Sequence, residues 1–257
     1  MSKPKVWAVI NQKGGVGKTT TTVNLAYYLA KAGKKVLLVD LDPQGNASSG
    51  VGVSIRSIKL SLYDCLAEAK DPKDCIVASE WEGLSLLPAS TRLAALDTEL
   101  PSTMRDRVLK LKQTLAKLDD EQWDIILIDA PPSLGLLTVN ALVASDSVIL
   151  PVQAEYYALE GLGQLLETMQ IVRTGLNKTL GIMGILVTMY DGRTSLGRQV
   201  QQQLRTHFAK YLFETSIPRN IKLAEAPSHG KPIGVYAPAC SGAKAYAALT
   251  KEVLKHV

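Results

Sequence analysis

The sequence predicts an α/β fold: a doubly wound, mainly parallel sheet with helices on both faces. Two patterns carry that prediction. Short β-rich runs alternate with helical patterns from end to end, and the runs are almost continuously apolar, as strands are when helices cover both sides of their sheet. Six strands are expected, over residues 5–10, 35–40, 84–87, 124–129, 147–152 and 181–189. The first is followed by a helix over 19–32, where Val23, Ala26, Tyr27 and Ala30 recur at helical spacing and Gly33 supplies a C-terminal cap. Residues 43–58, rich in Gly and Ser, are the least regular stretch and read as a mobile switch loop. Residues 91–118 read helical, with Pro101 expected to break or restart the helix. Helices are also expected over 159–173 and 241–256. With no repeat, low-complexity tract or linker, residues 1–257 are read as one domain.

Composition narrows the class. Apolar residues make up 46% and charged residues 21% of the chain, and no apolar run approaches the ~18 residues of a membrane span. The stretch from Val6 to Ile10, after Lys3 and Lys5, is too short for a signal-peptide core. A soluble, cytoplasmic protein is expected. Cys65, Cys75 and Cys240 are odd in number and lack Cys-x-x-Cys spacing, which argues for reduced packing thiols over disulfides, zinc or iron–sulfur ligation. The net charge is +5, yet residues 191–257 carry ten Lys/Arg against four Asp/Glu, a local +6 that leaves about −1 for the rest. Such asymmetry fits a footprint for nucleic acid or an acidic membrane, and equally a solvated face.

The densest chemistry follows the first strand. Gly14, Gly15, Val16, Gly17, Lys18, Thr19 and Thr20 lie between that strand and a helix start, where a phosphate cradle belongs. Glycines let backbone N–H groups approach phosphate oxygens, and the helix N-terminus adds partial positive charge. Lys18 is placed to reach the β- and γ-phosphates of ATP, Thr19 to ligate Mg²⁺ and Thr20 to bond the α-phosphate. The general pattern asks for glycine at residue 12, where Gln12 stands, so the loop is a variant.

Carboxylates gather at the same sheet edge, the side on which α/β folds bind ligands. The second strand ends in Asp40-Leu41-Asp42, and the apolar run from Trp123 ends in Asp129-Ala-Pro-Pro. Asp129 fits a Walker B position, holding Mg²⁺ through water or through Thr19. The plainer reading of all three is a carboxylate that closes the following turn.

The run from Lys13 to Thr19 resembles the deviant Walker A loop of the ParA/MinD superfamily. That resemblance implies that Lys13 crosses a dimer interface to the partner's nucleotide, whereas on its own it reads as an exposed loop lysine. It also implies that Asp42 orients the water that attacks the γ-phosphate and that Asp40 belongs to the shell around Mg²⁺. The segments Met189-Tyr-Asp-Gly-Arg193 and Ile217-Pro218-Arg-Asn220-Ile-Lys222 are similar to those of Soj-type ParA proteins, extending the resemblance over nearly the whole chain. By that resemblance Pro218 and Asn220 contact adenine, and Arg193 and Lys222 bind double-stranded DNA without sequence preference, in keeping with the C-terminal +6. Arg219, Lys244 and Lys251 are weaker additional contacts. The expected activity is hydrolysis of ATP to ADP and phosphate, slow alone and stimulated by a partner and DNA. The expected cycle is an ATP-dependent homodimer that binds the nucleoid and drives chromosome or plasmid segregation with a ParB-type centromere-binding protein.

Related functions fit less well. The tail from Ala245 has an Ala-rich face with Leu249, Val253 and Val257 in register, suited to packing on the sheet and not to a bilayer as in a MinD-like protein. The cysteines do not match nitrogenase-like iron proteins, and a strand beginning near Lys5 argues against an operator-binding domain before it. A metabolic ATPase or synthetase that uses the same loop on a small substrate is the alternative from another class.

Overall fold

The computed structural model describes residues 3–100, 103–118, 122–155 and 158–256. Its sheet has seven strands: β1 (Lys5–Val9), β2 (Val36–Asp40), β3 (Val77–Ala78), β4 (Leu84–Leu87), β5 (Ile125–Asp129), β6 (Ser147–Gln153) and β7 (Gly181–Thr188). Their order is β3-β4-β2-β5-β1-β6-β7, and every pairing is parallel except the short β3–β4 edge. The chain leaves β1 for one half of the sheet and later returns to β6 on the other, so β1 marks the switch point, where a crevice opens beyond the strand C-termini.

Alternate strand residues bury into opposite layers. Ala8, Leu37, Val39, Ile126 and Ile128 join one core cluster, while Trp7, Val9, Val36, Leu38 and Ile125 join the other. Two-sided burial explains why these strands lack polar alternation. Helix Lys18–Lys31 packs beneath one face against helix Ser241–Val253. The latter turns Tyr246, Leu249 and Val253 into the core, the role expected of this tail.

Several expectations change in detail. The 43–58 segment contains a helix, Asn46–Gly50, and a 3-10 turn, Ile55–Ser57. Residues 91–118 divide into a 3-10 turn Thr91–Ala95, a short helix Leu96–Glu99 and a helix Met104–Leu115. Thr103 accepts the Asp106 N–H and so starts that last helix. Pro101 and Val257 lie outside the described residues. Strand β3 and the helices Leu136–Ala144 and Ser195–Phe208 were not anticipated.

Candidate nucleotide-binding site

The loop after β1 is held in a cradle by its neighbours. Gly15 (φ 75°) and Gly17 (φ 86°) have left-handed backbones that side-chain-bearing residues adopt at a cost. Gly17 is also the N-cap of helix Lys18–Lys31 and provides no capping side chain, so the first-turn N–H groups are left for an anion. Three contacts fix the loop from outside. Asn11 Nδ2 donates to the Pro151 carbonyl (2.6 Å) while Asn11 Oδ1 accepts the Lys13 N–H (2.9 Å). The Thr188 hydroxyl at the end of β7 donates to the Val16 carbonyl (2.8 Å).

Two lysines lie in this loop in different settings. Lys18 is buried, and its Nζ donates to the Lys13 carbonyl (2.9 Å). Burial depresses its pKa, opposed by the charges of Asp129 and Asp42. Lys13 is half exposed, and its ammonium pairs with Glu155, just beyond β6. Gln12 Oε1 is buried without a hydrogen-bond partner among the described residues.

Parallel register brings the carboxylates together. Asp40 and Asp129 are directly paired positions at the ends of β2 and β5, and Val9 of β1 pairs with Asp129 on its other side. Thr19 donates to Asp129 Oδ2 (2.7 Å) and Thr22, one helical turn later, to Asp129 Oδ1 (2.8 Å). Asp129 is thereby joined to the hydroxyl expected to ligate Mg²⁺. Asp40 Oδ2 accepts both the N–H and the hydroxyl of Ser48 (2.7 Å each), and Asp40 Oδ1 the Asp42 N–H (3.3 Å). Asp42 Oδ1 accepts the Gln44 N–H (2.9 Å). The turn-closing reading of Asp40 and Asp42 is therefore realised in the structure, and among the described residues it leaves Asp42 Oδ2 without a hydrogen bond. Burial pushes Asp40 up to about 8, with the charge of Asp129 adding to it and Ser48 opposing it. Burial also raises Asp129, to about 6, against the hydroxyls of Thr19 and Thr22.

These groups fit Mg²⁺ with a polyphosphate. Among the described residues no three His, Cys, Asp or Glu side chains form a metal cage. A hydroxyl beside a carboxylate is the sparse hard-oxygen set that Mg²⁺ uses when phosphates and water complete its octahedron.

A cavity of about 470 Å³ opens next to the cradle, lined by Gly17, Thr20, Met189, Pro218, Ile221 and Tyr246 among others. Pro218 lines it as expected of an adenine contact. Asn220 also lines it, but its amide is engaged as a helix cap: Oδ1 accepts the Lys222 N–H (2.8 Å) and Nδ2 donates to Ser241 Oγ (2.8 Å). Met189 has φ 49°, a costly conformation for a non-glycine residue. Arg193 and Lys222 stand outside the cavity, each paired with a carboxylate.

Comparisons with known proteins decide the family. Residues 4–182 match a family model described as an AAA domain. The chain is 52% identical over 249 residues to the sporulation initiation inhibitor protein Soj of Bacillus subtilis, covering 97% of this chain and 98% of that protein. It is 52% identical to the chromosome-partitioning ATPase Soj of Thermus thermophilus (97% and 95% covered) and 45% to the chromosome partitioning protein ParA of Caulobacter vibrioides (97% and 94%). The chain belongs to the ParA/Soj family of partitioning ATPases. Solved structures agree on the ParA/Soj fold. The cobyrinic acid a,c-diamide synthase of Mycobacterium smegmatis, bound to ADP and magnesium, superposes with a TM-score of 0.84 at 36% identity, covering 98% of this chain and 95% of that one. The MinD protein of Pyrococcus horikoshii, complexed with Mg-ADP, gives 0.78 at 26% identity (98% and 97%).

Sequence reasoning missed the residues that hold the site's chemistry in place: Asn11, Thr22, Ser48, Glu155 and Thr188. Only Thr22 carried a legible signal, lying three residues after Thr19 on the same helical face.

Proposed function

We propose that this ParA/Soj-family ATPase closes into a dimer around Mg-ATP, binds DNA without sequence preference in that state, and is released from DNA by hydrolysis. The observation that carries this reading is the loop itself. A buried Lys18 closes the cradle, and a second lysine, Lys13, stands half exposed beside it, where it could exchange its pairing with Glu155 for another subunit's nucleotide. Thr19 and Asp129 would hold Mg²⁺, which would neutralise charge on the phosphates, and Asp40 would belong to its shell through the field of the paired carboxylates. Lys18, Gly14, Gly15, Val16, Gly17 and Thr20 would bind the phosphates, and Pro218 and Asn220 would flank the adenine. Asp42 would orient the attacking water with its unengaged oxygen, a task that needs little basicity in a loose phosphoryl-transfer transition state. Arg193 and Lys222 would meet DNA phosphates. The activating partner would be a ParB-type centromere-binding protein, and the site of action the nucleoid.

Light scattering with ATP tests the dimer. Wild type is expected to double in mass and Lys13→Ala to remain monomeric while still binding ATP. A Lys13→Ala protein that dimerises like wild type would remove Lys13 from the partner's site. The likeness to the Mycobacterium smegmatis synthase supports a second reading, ATP-driven amidation of a small acid. That reading predicts turnover dependent on the acid and indifferent to DNA.

A further inference from the structure

The two cations assigned to DNA are already engaged within the chain. The Arg193 guanidinium grips Asp191 with both edges, Nε to Oδ1 at 2.9 Å and Nη2 to Oδ2 at 2.7 Å. Asp191 also accepts the Arg193 backbone N–H (3.0 Å). Lys222 Nζ donates to Glu225 Oε2 (2.8 Å) on the next helical turn, and the same oxygen accepts the Tyr236 hydroxyl (2.8 Å). Tyr236 is itself stacked on His229, with ring centroids 4.8 Å apart, so Glu225 is fixed from a second direction. These pairs bear the mark of engaged carboxylates: Arg193 holds Asp191 down to about 2, and Lys222 and Tyr236 lower Glu225.

Both pairs also border the base cavity. Met189, two residues before Asp191, and Arg219, Asn220 and Ile221, just before Lys222, line it. A surface that only had to attract phosphate would be better served by the same cations without carboxylates bound to them.

We infer that Asp191 and Glu225 act as built-in competitors for DNA phosphate, setting how weakly the ATP-bound protein holds DNA. This rests on the DNA-binding reading above. A phosphate oxygen must displace a carboxylate from each cation or share it. The cation's contribution to affinity, and to the counterions released, is therefore only part of what a free Lys or Arg would give. A moderated hold suits a protein that must leave DNA once per hydrolysis cycle.

The test is anisotropy of a labelled nonspecific duplex with protein and a non-hydrolysable ATP analogue, over a salt series. It compares wild type, Glu225→Gln, Asp191→Asn and a control, Glu82→Gln, at an exposed position at the other end of the strands. The amide variants keep acceptors for Tyr236 and for the Arg193 N–H. Glu225→Gln and Asp191→Asn are each expected to bind DNA about 2- to 5-fold more tightly, the worth of one exposed ion pair. The log–log salt slope is expected to steepen by up to ~0.9 per freed cation, with no change in Glu82→Gln. Wild-type affinity and slope in both variants, or an equal gain in Glu82→Gln, would overturn the inference while leaving DNA binding intact. No binding by any of the four proteins would overturn the DNA reading and this inference with it.

Discussion

Asp129 condenses the logic of the site into one side chain. Fully buried at a strand end, it is tied to two threonines of the phosphate-loop helix and lies in register with Asp40. Because burial raises both pKa values, to about 6 and about 8, the fold holds these protons more tightly than the unfolded chain does. The resulting stabilisation is complete below the ordinary carboxylate pKa and is lost progressively as pH rises from there through about 6 and about 8, so thermal stability without nucleotide is expected to fall from about pH 4 to about pH 8. A cation arriving beside this pair favours the ionised forms, and Asp40, pushed up to about 8, is the member still mostly protonated at pH 7. Mg-ATP binding at pH 7 is therefore expected to release protons, measurable by calorimetry in buffers of different ionisation enthalpy; a binding enthalpy indifferent to buffer would contradict this coupling. Asp42 belongs to the same scale. With Oδ1 fixed by the Gln44 N–H, Asp42→Ala is expected to reduce hydrolysis by 100-fold or more, on the order of an essential orienting group, while ATP still drives dimerisation. Near-normal phosphate release would assign the water to another residue.

At the scale of elements, the sequence made the buried parallel strands legible because two-sided burial forces continuous apolar runs, and all six expected strands begin and end within one residue of where their apolar runs do. The phosphate loop was legible because its glycines, lysine and threonines act through local backbone geometry. What was not legible depends on distant partners. Strand β3 has only two residues and exists through its pairing with β4. The 43–58 segment looked irregular because the bond from Asp40 to Ser48 that organises it joins residues without a shared motif. Asn11 likewise reaches the Pro151 carbonyl, 140 residues away. Gly184 shows the same dependence. It sits in β7 opposite Ile149, beside a register irregularity, and a Cβ there would lie 2.4 Å from the ring of buried Phe213. Gly184→Ala is expected to cost about 1–3 kcal/mol by overpacking, read as a lowered denaturation midpoint. An unchanged midpoint would mean that Phe213 moves aside freely.

On the scale of the whole molecule, the chain places its chemistry at one sheet edge and its excess positive charge in the last quarter of the sequence. Lys13, Arg193 and Lys222, the cations expected to act on another molecule, are each matched by a nearby carboxylate: Glu155, Asp191 and Glu225. Each proposed intermolecular contact would then exchange one ion pair for another and need only a small change in free energy to reverse, as a cycling ATPase requires. In the proposed cycle, dimer closure would double the DNA-facing charge at once, and the nucleotide state would control DNA affinity by avidity. The most direct test is retention of nonspecific duplex DNA by the purified protein with ATP, with ADP and without nucleotide, across a salt series. The account predicts binding with ATP alone, weakening steeply as salt rises. Equal binding in all three states, or none in any, would contradict it.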